Sequence, residues 1–278
     1  MQIPNSWFKA TSRCQTPDQR TLQVSAWGWG SNDAVARQEA TNRLQRLLDR
    51  IRRGESFPKD VYAYATRPLR EEIVTTFDGE QGHAIVTRNR YGALVLNTER
   101  LLFLDVDLPP ANFTQRLRGL FSKRNEAATL AQIKLRETLR QFGRATFRIY
   151  RTAAGLRALA IDRDFDPADK EVLELMKATG TDPCFTRLCS AQKSFRARLT
   201  PKPWRCRCTM PPGQYPRTED ATRQQFTQWI GHYDQISTRY ASCRYLETVG
   251  SGNVKSWAEK LIDYHDRVTK CNDALPLA

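Results

Sequence analysis

The stretch LLFLDVDLP, residues 101–109, sets the fold. It is a run of apolar side chains with two acids near its end and a proline behind them, which predicts a strand over 101–107 stopped by Pro109 and Pro110. Side chains alternate across a strand, so Asp105 and Asp107 point one way while Leu104, Val106 and Leu108 point the other. Two neighbouring carboxylates repel and resist desolvation, and such a pair persists most easily with a divalent cation between them. Hard oxygen donors favour Mg2+ or Mn2+. The plainer alternative is a strand that runs into solvent and carries two acids before its stop.

Working outward, HAIVTRNRYGALVLNTER holds two more short apolar runs, broken at NRYG and NTER, that read as strands near 83–88 and 92–96. After the acids, Leu130, Ile133, Leu135 and Leu139 fall near helical spacing between Glu126 and Phe142, with Gly143 as the stop. ATFRIY, a TAAG turn and LRALAID then form a hairpin, and PADKEVLELMKAT is a helix with Pro167 near its first turn. The order strand, helix, strand, strand, helix forces both helices onto the sheet. It predicts an α+β protein: an antiparallel or mixed sheet with an RNA-recognition-like core and flanking helices.

The flanks are less regular. Residues 32–54 read as a helix with a capping residue at its start, apolar positions at Ala36, Ala40, Leu44, Leu47, Leu48 and Ile51, a terminal Gly and an arginine-rich polar face. Residues 209–217 are a Pro/Gly loop, and helices are expected over 219–241 and 254–270. Three units follow: an N-terminal helical and strand segment over 1–82, the α+β core over 83–208, and a C-terminal helical segment over 209–278 packed on that core.

With 278 residues, 40% apolar and 27% charged, the chain is neither fibrous nor disordered. Its 44 Lys and Arg outnumber 30 Asp and Glu, a net charge of +14 that points to an anionic partner, a nucleic acid or a nucleoside triphosphate. No window approaches 18 uncharged apolar residues and MQIPNSWFKATSRC lacks the apolar stretch of a secretory signal, so no membrane is expected and the cytoplasm is. Seven cysteines are an odd number there, which predicts reduced thiols. Cys184, Cys189, Cys206 and Cys208, with Cys243 or His232 as substitutes, lack the tight paired spacing of structural zinc.

Two further stretches carry candidate chemistry. In FRIYRTAAGLRALAID, Arg148, Arg151 and Arg157 surround a tight turn where Gly155 lets backbone approach a phosphate, and Asp162, with Asp164 and Asp166 after it, offers a third carboxylate. The ordinary alternative is an exposed hairpin with basic tips and an Asp/Pro helix cap. In KSFRARLTPKPWRCRC, Arg196, Arg198 and Thr200 share one strand face, opposite Phe195, Ala197 and Leu199, with Lys202, Trp204 and Arg205 nearby. That face suits a nucleic-acid backbone with a stacked base, or it is a solvated, charge-protected edge.

The apolar strand ending in Asp105-x-Asp107, followed after one helix by a strand-turn-strand bearing Thr152, Gly155 and Arg157, resembles the catalytic core of the archaeo-eukaryotic primase superfamily, the primase-polymerases. The resemblance covers roughly residues 83–205. It implies that Asp105 and Asp107 hold the metal, that Asp162 is a further acid, and that Arg151, Thr152, Gly155 and Arg157 line a nucleotide site. Arg157 stands where the family has a histidine; a guanidinium can hold a phosphate but cannot act as a neutral imidazole. Two functions remain open: metal-dependent nucleotidyl transfer, with Arg196, Arg198, Lys202, Trp204 and Arg205 gripping template or product, and non-catalytic nucleic-acid binding on a degenerate primase-like fold.

Overall fold

The computed structural model describes residues 1, 3–55, 67–78, 84–108 and 121–278. Pro109, Pro110, His83 and the expected 82/83 unit boundary lie outside the described residues. Among the described residues, ten strands and six α-helices make up a mixed α+β arrangement, and the strands pair antiparallel.

The acids sit on β6 (Phe103–Asp107), which pairs with β8 (Gly155–Ala160); β7 (Phe147–Thr152) and β10 (Cys243–Val249) complete a sheet of order β10-β7-β8-β6. The register sets Asp105 opposite Arg157 and Asp107 opposite Gly155, so Phe103, Asp105 and Asp107 share a face with Arg157 and Leu159. Leu104 and Val106 face the other way beside Leu156 and Ala158, into the main core. Helix α2 (Phe121–Phe142) covers that second face, with Phe142 edge-on to Phe147 at 6.3 Å. Helix α3 (Lys170–Thr179) adds Val172, Leu175 and Met176 to the same core, its start capped by Asp169 and its end by Gly180 at a φ of 74°.

The acid-bearing face is covered by α6 (Ser256–Thr269), whose His265 ring lies 5.7 Å from Phe103 and 5.1 Å from Tyr150. The C-terminal segment, expected to be helical, thus also supplies β10 to the core sheet. Arg244 and Glu247 within CRYLETV, and the flanking helices, hid that strand from periodicity.

A second sheet, of order β3-β4-β5-β9, comprises β3 (Glu72–Phe77), β4 (Ala84–Arg88), β5 (Leu94–Thr98) and β9 (Phe195–Arg198). It draws one strand from the expected N-terminal unit, so that unit and the core share a sheet. Helix α4 (Pro183–Gln192) precedes β9, with Asp182 as its cap. The remaining elements are a hairpin of β1 (Ser6–Gln15) and β2 (Thr21–Gly30) packed on α1 (Asp33–Arg52), and α5 (Asp220–Ser237) with a small second core around Cys206, Cys208, Trp229 and Tyr233. Gly28 is essential to the first of these, because a Cβ there would run into the α1 backbone at Ala36 and Ala40.

Candidate functional site

Across the β6–β8 ladder, Arg157 grips Asp105 with two donors: Nε to Oδ1 at 2.8 Å and Nη2 to Oδ2 at 3.2 Å. The Arg157 side chain is 2% exposed and the Asp105 side chain 36%. Burial opposes the Arg157 charge, but the facing Asp105 carboxylate overrides it and holds the guanidinium pKa above its ordinary value. The third arm, Nη1, donates to the Arg198 carbonyl at 3.0 Å and to His265 Nε2 at 3.3 Å.

A guanidinium can only donate, so His265 Nε2 must accept and the ring proton sits on Nδ1. That proton goes to Asp266 Oδ1 at 2.9 Å, which also accepts from the Tyr150 hydroxyl at 2.9 Å. Arg148 closes the network on Asp266 Oδ2 at 2.8 Å. Burial, together with the cations Arg157 and Arg148, pushes the His265 pKa below its ordinary value despite Asp266, so the ring is neutral. No local pattern marks this network, because Asp105, Tyr150, Arg157, Arg198 and His265 come from five separate elements.

Arg157 is therefore not available to a nucleotide phosphate as expected: its charge is spent within the fold on Asp105. The turn residues are also structural. Thr152 Oγ1 accepts from Gly155 N at 2.9 Å, and Arg151 Nη1 donates to the Gly155 carbonyl at 2.9 Å. The backbone that approaches Gly155 is that of β6, because a Cβ at 155 would run into the Val106 carbonyl.

Asp162 does not join the other acids. Leu159 pairs with Phe103, so the chain reaches Asp162 beyond the opposite end of β6, where its Oδ2 accepts from Thr146 N at 2.9 Å. A further acid beside the pair is Asp182, whose backbone N–H reaches the Asp105 carbonyl at 3.4 Å. Burial, then Asp105 and Asp182, raise the Asp107 pKa above the usual carboxylate range, against the pull of Lys202 and Arg205. Asp182 itself caps α4 by accepting from Cys184 N at 2.9 Å. Among the described residues, no three Asp, Glu, His or Cys side chains converge on one point. Each Asp105 oxygen carries one Arg157 donor, so a divalent ion there would compete with the guanidinium.

On β9, Phe195 and Ala197 face the core and Arg196 and Arg198 the other side, as the alternation predicts. That second side is not open. Arg196 is 7% exposed, and its Nη2 donates to both carboxylate oxygens of Glu71 at 2.8 Å. Glu71 also accepts from Thr87, and Asn97 donates to Thr87 Oγ1 at 3.0 Å. A solvated edge is thus replaced by a buried polar layer, and its key acid lies 125 residues away in sequence.

Two buried donors of this layer have no partner: Arg196 Nη1 and Arg198 Nε. Both residues line a cavity of about 480 Å³ that also takes in Tyr91, Asp105, Asp182 and Lys202. Burial, then the neighbouring Arg157, brings the Arg198 pKa down to about 10, and burial likewise lowers that of Lys202. Trp204 is 50% exposed and sits edge-on to Tyr91 at 5.2 Å, with Lys202 Nζ 5.4 Å from its ring. Arg205, in the single turn of 3-10 helix Pro203–Arg205, contributes its field to Asp107 and Lys202.

Cys189 lies in the main core, while Cys206 and Cys208 lie in the second one. Among the described residues, no helix is long and apolar enough to cross a membrane. No family model, curated protein or solved structure matches this chain.

Proposed function

We propose that this protein binds nucleic acid or nucleotides, without catalysis, on a degenerate primase-like fold. The observation that carries the reading is that Arg196 and Arg198, two residues lining one cavity, each hold a buried guanidinium donor without a partner. An unpaired buried donor is costly, and a phosphate oxygen is the acceptor whose charge and geometry suit it best. The Tyr91–Trp204 pair beside the cavity offers a face for a base, and the overall positive charge draws in a polyanion.

The order β6, α2, β7, β8, α3 with β8 between β6 and β7 supports the primase-like reading, as does the contact of β9 with β6. Departure from catalysis rests on Arg157. In the family pattern, a metal and a histidine would work beside the first acid. Here one arginine takes the place of both, neutralising Asp105 internally and contributing no imidazole.

The test is binding of a fluorescent single-stranded oligonucleotide, followed by anisotropy, with Mg2+, with Mn2+ and with a chelator. Equal affinity in all three, with no primer extension, is expected. Metal-dependent binding together with nucleotide incorporation would replace this reading with nucleotidyl transfer at Asp105 and Asp107.

A further inference from the structure

Of the seven cysteines, Cys184 is the exposed one; Cys14 is half-buried and the other five are buried. Cys184 stands in the first turn of α4, a helix of 10 residues, and lines the cavity described above. Arg187, one turn on, donates from Nη2 to its sulfur at 3.4 Å. The cavity wall carries four cationic side chains, Arg187, Arg196, Arg198 and Lys202, against the carboxylates of Asp105 and Asp182. An accessible thiol therefore sits at the edge of a net-positive pocket whose buried Arg196 Nη1 lacks an acceptor.

We propose that Cys184 is a thiol-modification site that forms a mixed disulfide with a small anionic disulfide of the glutathione type, and that the adduct occludes the cavity. The exchange balances. The Cys184 thiolate attacks one sulfur, a new S–S bond forms as the old one breaks, and the departing thiolate takes up a proton equivalent to the one Cys184 released. No other oxidant is required. The positive wall selects the reagent by attracting its carboxylates, and the unpartnered arginine donors then receive them. Only the functional consequence, loss of nucleic-acid binding, rests on the function proposed above.

The experiment treats the full-length protein with oxidised glutathione or with cystamine, a cationic disulfide, at low ionic strength, and locates the adduct by peptide mass mapping. Glutathione is expected on Cys184, on the order of tenfold faster than cystamine, with the preference fading as salt rises. Cys184→Ser should abolish the adduct, and Arg187→Ala with Lys202→Ala should erase the preference while leaving the thiol reactive. Equal or faster reaction with cystamine, or an adduct on Cys14 instead, would overturn the site. Oligonucleotide anisotropy on the modified protein is read separately. Selective modification of a protein that never binds oligonucleotide leaves the thiol site standing and removes the nucleic-acid reading, whereas unchanged oligonucleotide affinity after full modification overturns the occlusion.

Discussion

Arg157 and Asp105 face each other directly across two antiparallel strands and share two hydrogen bonds, so the cation expected beside the first acid is supplied by the chain itself. Removing one partner of a buried pair strands the other. Arg157→Met should destabilise the protein by about 3 kcal/mol, the lower end of the usual range because Asp105 is 36% exposed. Adding Asp105→Asn should recover part of that loss, since the double variant leaves no unpaired charge. Urea denaturation of the two single variants and the double variant measures the coupling. Strict additivity would show that the pair contributes nothing of its own.

Gly155 was legible as a special position, but for the wrong partner. Gly155→Ala is expected to cost about 1–3 kcal/mol or more, because the added methyl meets the Val106 carbonyl and the β6–β8 ladder must open. If the glycine served a ligand instead, the variant would keep its melting temperature and lose only binding. Thermal unfolding beside an anisotropy titration separates the two cases.

The His265 network gives stability a pH dependence with a definite sign. A histidine whose folded pKa lies below its ordinary value of 6.5 resists protonation in the native state, so the unfolded chain binds the proton more readily. Stability is full above pH 6.5 and falls as pH drops from there toward the lowered folded value. Asp266, held below the usual carboxylate range against its own burial by His265, Arg148 and Tyr150, adds a second loss below 3.8 with the same sign. His265→Gln should flatten the upper part of the stability curve between pH 7 and pH 5 relative to the parent, measured by urea midpoint. A parallel curve would place the titration elsewhere.

What the sequence disclosed follows the range of the interactions. Alternation along LLFLDVDLP and FRARL reports which side chains share a face, a local property, and the acids of β6 and the arginines of β9 lie on the faces it predicts. The TAAG turn and the Asn32 cap are local too, and Asn32 accepts from Val35 N at 3.0 Å. What covers those faces is not local. Glu71 closes over Arg196 and α6 closes over Arg157 from distant parts of the chain, and neither leaves a mark on strand periodicity. Helix α4 was missed because PCFTRLCSAQ mixes Pro, Cys and Ser with few apolar side chains at helical spacing. Asp162 was misplaced because position in a hairpin sequence does not say which end of the neighbouring strand it reaches.

Arg196 and Arg198 are adjacent on one strand face, yet their substitutions should behave differently. Arg196→Ala strands Glu71 in the polar layer, so it is expected to lower stability by about 3–5 kcal/mol as well as to weaken binding. The Arg198 side chain has a buried Nε without a partner, and its main-chain carbonyl, which holds Arg157, survives substitution. Arg198→Ala should therefore leave the urea midpoint close to the parent's while weakening oligonucleotide binding and reducing its salt slope by about 1, the signature of one lost phosphate contact. Trp204→Ala should weaken binding by about 1–3 kcal/mol with the salt slope unchanged, because stacking releases no counterions. Anisotropy titrations at several salt concentrations measure both quantities. A salt slope that falls for Trp204→Ala and stays constant for Arg198→Ala would move the phosphate contact out of the cavity and onto the exposed rim.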